Sequence, residues 1–438
     1  MSQLFPYQQA GVEWLSTRMN ALLADEPGLG KSAQAIRACD AVKARKILVI
    51  CPASLRENWR REFAKFQTLT RSTEDVRIVS YDLAARRAEA VAGFACFDAL
   101  ILDEAHYLKS RDAKRTKAVL GEDCDGIGGI IENCDYVFAL TGTPAPNHPA
   151  ELWPLVRALA PTLLEKRQQS YWGFVNKYCK TRDNGFGLQI VGGKNMADLR
   201  ERLEPFILRR KKVDVLPQLP PLRLETLYVD GVLSRDLSVL SAEYGGQIEK
   251  ALDQRGLDGL ASLSAGIKPK KDTVMPPLAS LRKMIGMAKV PGVVEVVIDE
   301  LLAGGKIVLF AHHRDVIDVL KTALREAVNG VIPVVDGSTP GEARQHWVDR
   351  FQNDPHCRVF IGQLQAAGTG LTLTAASEAI IVESSWVPAE NEQAAMRIHR
   401  IGQKNACRVR FATLANSIDE KINEAVIRKT ATIVELFN

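Results

Sequence analysis

Short runs of apolar residues alternate with amphipathic helical patterns along residues 20–160. Four of these runs are rich in β-branched and aromatic side chains and predict buried strands: residues 46–51, 76–81, 97–102 and 135–140. Residues 54–66 predict a helix, because their large apolar residues recur on one helical face. These are Leu55, Trp59, Phe63 and Phe66. Strands that alternate with helices in this way predict a parallel sheet with crossover helices.

The same alternation returns in the second half of the chain. Five further runs predict strands: residues 306–311, 331–336, 358–362, 378–383 and 408–413. The sequence therefore predicts two α/β units. Between them, residues 150–215 have a helical pattern with mixed basic and aromatic residues, and the proline-broken residues 214–223 predict a connector. Residues 233–290 have a helical pattern again, interrupted by the polar residues 266–277, which predict a flexible loop.

The composition is that of a globular chain with a mildly basic balance. Of its 438 residues, 46% are hydrophobic and 25% are charged, which excludes a disordered chain. The formal net charge of +5 permits a nucleic-acid partner without requiring one. No apolar run approaches the roughly 18 residues of a membrane span, and the first residues lack the pattern of a secretory signal. We therefore expect an intracellular protein without a membrane partner.

The eight cysteines form no C-x-x-C pair, and several lie inside apolar runs. This pattern predicts free, buried thiols in a reducing compartment. The seven histidines lack a zinc-binding spacing such as H-E-x-x-H, so we expect no protein-bound zinc.

The candidate chemistry begins with the segment ADEPGLGKSAQAI, in which a helical pattern opens at Ser32. Backbone N–H groups at a helix N-terminus bind anions, and Gly28 and Gly30 supply the flexible backbone for close approach. Lys31 can reach the β- and γ-phosphates, and Ser32 can ligate Mg²⁺. The pattern G-x-x-x-x-G-K-[ST] has a glycine where this chain has Asp25, so a glycine-rich turn is the alternative.

A second motif, FDALILDEAH, ends a predicted buried strand with two acids. Asp103 at the strand end can hold Mg²⁺, and Glu104 can orient or deprotonate an attacking water. The alternative is a helix N-terminus that carries acids, which the helix dipole favours. Because this motif follows the G-K-S loop by about seventy residues, at the end of another strand, the two motifs together favour a nucleotide site.

Two further motifs concern communication with that site. Residues 141–144 (Thr-Gly-Thr-Pro) end another predicted strand, where hydroxyls can relay the state of the phosphates; a simple turn is the alternative. In the second α/β unit, Gln393, Arg397 and Arg400 have the spacing of one helical face. An arginine presented across an interface can stabilise a transferring phosphoryl group. A solvated basic helix face is the alternative.

Several segments together carry a resemblance to one family. In order, they are PYQQAGVEWL, DEPGLGKS, ILVICPASLRENWRREF, SYDL, LDEAHYLK, ALTGTP, ILRRKKVDVLPQLP, VDGST and RIHRIGQ. Over nearly its whole length the chain resembles the Swi/Snf family of superfamily-two ATPases. DEPGLGKS is similar to the family's D-E-M-G-L-G-K-[ST], so Asp25 matches the family and Pro27 departs from it. Residues 306–320 and 334–340 look most like the annealing-helicase branch.

The resemblance implies an α/β fold of two RecA-like parallel-sheet lobes with helical insertions, the superfamily-two helicase core of P-loop NTPases. Residues 1–160 are expected to form the ATP-binding first lobe, and residues 161–213 a helical protrusion that returns to it. Residues 214–290 are expected to form a linker or brace and a second helical insertion. Residues 291–438 are expected to form the second lobe.

The resemblance also implies ligands and roles for the first lobe. Gln8 resembles the family's adenine-reading glutamine. The residues expected to bind ATP with it are Gly28, Leu29, Gly30, Lys31 and Ser32. Lys31, Asp103 and Glu104 are expected to be catalytic, with Mg²⁺ held by Ser32 and Asp103.

For the second lobe, the resemblance implies residues that act on nucleotide and DNA. Gly368 and Gly370 resemble the motif that touches both ligands. Gln365 stands there in place of the family's usual arginine, which puts one DNA or coupling contact in question. Arg397 and Arg400 match the arginine-finger motif and are expected to be catalytic.

These roles predict a DNA-dependent ATPase, a monomeric motor that moves along double-stranded or branched DNA with weak sequence specificity. One alternative is a strand-separating DNA or RNA helicase of the same superfamily. Another is a nucleotide-gated nucleic-acid-binding scaffold that does not turn over ATP. A protein partner or DNA shape is expected to target the motor, which would be nuclear in a eukaryotic source.

Overall fold

A computed structural model gives the structure of the protein. It describes residues 3–72, 74–86, 96–145, 148–183, 188–231, 246, 278–328, 330–367 and 370–436. The chain divides into two compact units, Met1–Pro217 and Gln218–Asn438.

The first unit is built on a parallel sheet. Its described strands are β1 (Asn20–Leu23), β2 (Ile47–Cys51), β3 (Val76–Ser80), β4 (Phe97–Asp103), β5 (Cys134–Leu140), β6 (Cys179–Asp183), β7 (Leu188–Gly193) and β8 (Ile207–Leu208). Six of them form the sheet in the order β3-β2-β4-β5-β1-β8, and all of its pairings are parallel. The four predicted strands are confirmed. Helices on both faces of such a sheet bury whole strands, and every residue of β2 is buried.

Helices pack on this sheet, and their apolar side chains complete the core of the unit. Those described are α1 (Pro6–Ser16), α2 (Lys31–Ala41), α3 (Arg56–Phe66), α4 (Tyr81–Arg86), α5 (Lys114–Leu120), α6 (Trp153–Leu159), α7 (Tyr171–Tyr178), α8 (Met196–Leu203) and α9 (Lys212–Val215). The predicted helix at 54–66 is confirmed as α3, which a 3₁₀ turn at Ala53–Leu55 precedes. Its Trp59 and Phe63 are buried in the core of the unit.

The predicted helical protrusion also contains a β-hairpin, in which β6 and β7 pair in antiparallel fashion. A register shift between Lys180 and Thr181 interrupts the alternation of side chains, so the sequence lacks the period of two that predicts a strand. The hairpin packs on the unit through Cys179 and Ile190, which join Ala150 and Val175 in a small apolar cluster.

The second unit is built on another parallel sheet. Its described strands are β9 (Leu222–Val229), β10 (Ile307–Ala311), β11 (Val334–Val335), β12 (Val359–Gln363), β13 (Glu378–Ile381) and β14 (Cys407–Leu414). They form a sheet in the order β11-β12-β10-β13-β14-β9, again with parallel pairings. The five predicted strands are confirmed, and so is the fold of two parallel-sheet lobes.

The predicted linker contributes the sixth strand, β9. It begins directly after Pro220 and Pro221, which have no N–H group to donate to a ladder, and it pairs with β14 along its whole length. Much of β9 is exposed at the sheet edge, so its sequence lacks the apolar run that marks a buried strand.

The described helices of this unit are α10 (Leu278–Leu302), α11 (Arg314–Ala327), α12 (Gly341–Asn353), α13 (Leu364–Ala367), α14 (Pro388–Ala395) and α15 (Ile418–Leu436). Lys289 is buried in α10 and donates to Asp419 at 2.8 Å and to the carbonyl of Ala412 at 2.9 Å, which ties α10 to β14 and α15. Most of the predicted second insertion and the predicted loop at 266–277 lie outside the described residues.

The eight cysteines are free, and six of them are buried. Within the described ranges, no helix combines the length and apolarity needed to cross a bilayer. In the same ranges, no three His, Cys, Asp or Glu residues group in a way that could hold a metal ion.

Candidate nucleotide site

The carboxyl ends of β1, β4 and β5 lie side by side at one edge of the first sheet. Leu140 of β5 pairs with Leu23 of β1 on one side and with Asp103 of β4 on the other. The glycine-rich loop follows Leu23, and residues 141–144 follow Leu140. Three motifs found in the sequence therefore meet at this edge, which is where α/β sheets bind their ligands.

The loop between β1 and α2 has the backbone of an anion cradle. Gly28 and Gly30 have positive φ angles of 94° and 73°, a conformation that favours glycine. Helix α2 begins at Lys31, so its N-terminal N–H groups face the loop. The Lys31 ammonium donates to the carbonyl of Asp25 at 2.6 Å and to that of Glu26 at 3.3 Å. The lysine charge is thus held at the mouth of the loop.

Helix α1 holds the loop from the other side. The amide of Gln8 donates to the carbonyl of Leu29 at 3.2 Å, and the hydroxyl of Tyr7 donates to the same carbonyl at 3.0 Å. The other end of the Gln8 amide accepts from the backbone N–H of Phe5 at 3.0 Å. Gln8 and Leu29 therefore lie beside the phosphate loop, and the adenine-reading role of Gln8 stays a prediction.

Asp25, at the position of the missing glycine, is a structural anchor. Its carboxylate is fully buried and accepts from the Nε of Arg210 at 3.0 Å, from that residue's Nη2 at 2.5 Å, and from the amide of Gln34 at 3.2 Å. Arg210 also donates to Gln34 at 2.6 Å and to the carbonyl of Tyr7. One guanidinium therefore ties the loop to α1 and α2.

The residues that follow β8 reinforce this anchor. Arg209 donates to the carbonyls of Ala24 and Gly142, each at 3.3 Å. The backbone N–H of Lys212 donates to the carboxylate of Glu26 at 2.8 Å. Sequence reasoning missed these contacts, although the segment ILRRKKVDVLPQLP carries the family resemblance. The sequence feature that could have indicated these contacts is the pair of arginines, Arg209 and Arg210, directly after the apolar pair of β8.

Asp103 is placed at the end of β4 by two hydrogen bonds. Its carboxylate accepts from the indole N–H of Trp59 at 2.8 Å and from the backbone N–H of Glu104 at 3.0 Å. Burial, reinforced by the neighbouring Glu104 charge, raises the pKa of Asp103 to about 7. The sequence predicts Trp59 only as an apolar helix residue, and its contact with the acidic pair is a finding of the structure.

A chain of contacts links Glu104 to the end of β5. The Glu104 carboxylate lies 3.3 Å from Nδ1 of His106, and the same ring nitrogen lies 3.0 Å from the hydroxyl of Thr141. That hydroxyl accepts from the backbone N–H of Thr143 at 3.1 Å. Burial lowers the pKa of His106, so the ring is neutral near pH 7. The contacts connect Glu104 to residues 141–144, and the relay of the phosphate state through these residues stays a prediction.

The second unit corrects the predicted helical face. Helix α14 ends at Ala395, and turns occupy the residues from Met396 to Gly402, which has a φ of 98°. Gln393, Arg397 and Arg400 therefore do not share one continuous helix. The helix does not continue because the amide of Gln403, which follows Gly402, donates to three carbonyls and holds the chain in a turn.

The two arginines nevertheless meet. Arg397 and Arg400 both donate to the carbonyl of Leu371, at 3.4 and 2.9 Å, and Arg400 also donates to the hydroxyl of Thr372 at 3.1 Å. Gly370 precedes these acceptors and has a φ of 73°, whereas Gly368 lies outside the described residues. The geometry brings Gly370, Arg397 and Arg400 together within the second unit.

A parallel sheet with a lysine-bearing glycine loop after one strand and an acidic pair after another defines a P-loop nucleotide-binding domain. The profile of the SNF2-related domain matches residues 7–73 and 67–235 of this chain, and the helicase conserved C-terminal domain matches residues 291–402. The chain belongs to the SNF2 family, which confirms the resemblance found in the sequence.

Curated relatives include annealing helicases. The chain is 30% identical to the "DNA annealing helicase and endonuclease ZRANB3" of Bos taurus over 95% of its own length and 39% of that protein. It is 28% identical, over 98% of its length and 61% of the relative, to a Caenorhabditis elegans homologue of the "SWI/SNF-related matrix-associated actin-dependent regulator of chromatin subfamily A-like protein 1". The chain thus spans about two fifths of the ZRANB3 relative.

Among solved structures, the chain is similar to the "Sulfolobus solfataricus SWI2/SNF2 ATPase core in complex with dsDNA". The sequence identity is 24%, the TM-score is 0.42, and the match covers 99% of this chain and 92% of that one.

We predict that Arg210→Gln loosens the phosphate loop, because it leaves the Asp25 carboxylate buried without its cation. Breaking a buried ion pair in this way costs about 3 kcal/mol. Urea unfolding should show the loss, and amide hydrogen exchange should show faster exchange at the start of α2. The double variant Asp25→Asn/Arg210→Gln removes both charges and should regain part of the stability. A double variant that is less stable than Arg210→Gln would contradict this account.

Proposed function

We propose that the chain is an ATP-dependent double-stranded DNA translocase. The observation that carries the proposal is the meeting of the glycine-rich loop, the acidic pair and the His106–Thr141 contact at one sheet edge in an SNF2-family chain. A loop of this kind binds the phosphates of a nucleotide. The relatives named as DNA annealing helicases support DNA as the track.

The residues of the site fit a magnesium nucleotide. The raised pKa of Asp103 reflects a carboxylate whose charge is poorly hydrated, and a bound cation would compensate that loss of hydration. Ser32 and Asp103 are the residues that would hold Mg²⁺, which would neutralise charge on the phosphates. Hydroxyl and carboxylate oxygens are the protein ligands that this ion prefers.

Each residue of the site has a separate role in the proposed mechanism. Lys31 leaves the carbonyls of Asp25 and Glu26 to bind the phosphates, while Gly28, Leu29 and Gly30 present backbone N–H groups. Glu104 orients the attacking water and takes its proton at the carboxylate. Protonation of Glu104 changes its contact with His106, and His106 transmits that change to Thr141 through their own contact. Residues 141–144 would thereby report the state of the nucleotide to the surface of the unit.

Movement along duplex DNA is proposed over strand separation because of the SNF2 family membership. Contacts to backbone phosphates dominate such binding and carry little sequence information. The scaffold alternative is disfavoured because Lys31, Asp103 and Glu104 occupy one sheet edge. We further propose that the motor acts as a monomer and that it prefers branched DNA. A separate protein is expected to target it.

Two variants separate nucleotide binding from hydrolysis. Lys31→Ala should lose DNA-stimulated ATP hydrolysis, because it removes the phosphate-binding cation. Glu104→Gln should still bind ATP yet hydrolyse it at least about 100-fold more slowly, the lower range for loss of a general base. Steady-state ATPase assays and binding of a fluorescent ATP analogue give the two readouts. Normal turnover in Glu104→Gln would show that this acid is only structural.

The arginine-finger role proposed for Arg400 is separable from a DNA contact. Arg400→Ala should lower kcat by about 10³-fold and change DNA affinity much less. Lys404→Ala removes an exposed cation four residues away and serves as the matched control. If Arg400→Ala weakens DNA binding while kcat at saturating DNA stays normal, the arginine contacts phosphate in DNA and the finger role is wrong.

The translocase and the strand-separating helicase predict different products. The chain should use ATP to displace the third strand from a DNA triplex, and it should leave a plain forked duplex paired. Both assays are run side by side at low salt, where phosphate contacts are strongest, with Lys31→Ala as the inactive control. Efficient unwinding of the fork without triplex displacement would replace this proposal with a strand-separating helicase.

A further inference from the structure

A groove lies at the opposite edge of the first sheet from the nucleotide site. It is lined by the amino ends of β1 and β5, by the loop that precedes β5 and by the end of α6. Its volume is about 310 Å³, at the lower end of the range of ligand pockets, about 300–1,000 Å³. The nucleotide site lies at the carboxyl ends of the same two strands. We name this feature the amino-edge groove.

One wall of the groove is an unusually long connection. Residues 121–133 join α5 to β5, whereas most connections of this kind take about two to six residues. A Cβ atom on Gly129 would lie 2.4 Å from the backbone nitrogen of Gly121, so the beginning and the end of the loop pack directly against each other. Four of its residues have φ angles between 53° and 89°: Gly121, Cys124, Gly126 and Gly128. The loop is therefore a compact wall, closely packed on itself.

The loop presents an apolar side chain at its tip. The carboxylate of Asp125 accepts from the backbone N–H of Ile127 at 3.1 Å. The carboxylate of Glu132 accepts from the backbone N–H of Gly128 at 2.7 Å. Ile127 is left 69% exposed, and Met19, directly before β1, is 65% exposed. Both side chains line the groove, and a ligand that covered them would gain the free energy of apolar burial.

The charges of the groove have one sign. Three carboxylates line it, and no Lys, Arg or His does so within the part of the chain that the structure describes: Asp125, Glu132 and Asp135. Among the described residues, these carboxylates form no salt bridge. The chain as a whole has a net charge of +5, so the groove differs in sign from the rest of the molecule. It would repel phosphate groups and attract cations.

We propose that the amino-edge groove binds a basic segment of a partner protein, in which a large apolar side chain lies between lysines or arginines. The apolar side chain covers Met19 and Ile127, and the cations pair with the carboxylates of the groove. Charge complementarity selects this occupant over a nucleic acid. The inference goes beyond the proposed function, because it assigns a surface to the expected partner, and it does not depend on ATP hydrolysis.

The first test selects the ligand by its chemistry. A displayed library of short random peptides is selected in parallel against the wild-type chain and against Ile127→Ser. The wild-type chain should enrich peptides in which Lys or Arg flanks a large apolar residue, and Ile127→Ser should lose this enrichment. Val319→Ser removes an exposed apolar side chain from α11 and should behave like wild type. A wild-type selection without this enrichment, or the same enrichment with Ile127→Ser, would overturn the proposal.

The most enriched peptide, labelled with fluorescein, then tests the charges. Asp135→Lys leaves the two carboxylates that hold the loop in place and should slow association about tenfold at low salt, because charges at the edge of an interface act mainly on the association rate. Ile127→Ser should weaken affinity at least about tenfold, the lower range for burial of one large apolar side chain. Asp318→Lys on the exposed surface of α11 is the matched charge control.

Stopped-flow anisotropy gives the rates, and thermal unfolding verifies the fold of each variant. Unchanged association in Asp135→Lys would show that the carboxylates do not recognise the peptide and would overturn the proposal. Duplex DNA binding and DNA-stimulated ATP hydrolysis should be unchanged in Ile127→Ser, because the groove lies at the other edge of the sheet. Weaker duplex binding in this variant would assign the groove to DNA instead.

The remaining outcomes separate other occupants and the proposed function. Light scattering should give the same mass for wild type and Ile127→Ser. A wild-type dimer that Ile127→Ser disperses would assign the groove to a second copy of the chain and would overturn the proposal. If the wild-type chain hydrolyses no ATP with any DNA, the translocase function fails, whereas the peptide selection still decides whether the groove binds a basic segment.

Discussion

The fully buried carboxylate of Asp25 is the constraint on which the nucleotide site depends. A charge taken out of water requires a partner, and Arg210 supplies it from 185 residues further along the chain. The same guanidinium holds Gln34 of α2 and the backbone of Tyr7 in α1. The conformation of the phosphate loop is therefore stabilised by a residue that follows the last strand of the first sheet.

Much of the fold could be read from the sequence, because parallel strands buried on both faces appear as continuous apolar runs. The nine strands predicted in this way are present. The sequence did not reveal β8, an apolar pair followed directly by four basic residues, or β9, which lies at a sheet edge. The β6–β7 hairpin was missed for a third reason. Its register shift breaks the alternation of side chains, and the prediction at that position was helical.

At the candidate site, the residues that belong to a recognisable motif could be predicted from the sequence. The side chains that contact them could not. Spacing along the chain identified Lys31, Asp103 and Glu104, whereas the contact of Asp103 with Trp59 joins separate elements. The predicted common face of Arg397 and Arg400 was wrong because the periodicity argument assumed a helix that continues to Arg400. Contacts of Gln403 hold this segment in turns instead. The two arginines converge on one carbonyl.

The strands next to the boundary between the units differ in how they resist a mechanical load. β9 enters its sheet just after that boundary, and eight register pairs join it to β14. A pull along the axis of β9 would load those hydrogen bonds in parallel, in shear, instead of one after another. β8 offers two register pairs, and the contacts of Arg209 and Arg210 directly behind it add side-chain anchorage. The chain thus has two kinds of anchor beside this boundary, a long ladder after it and a guanidinium clamp before it.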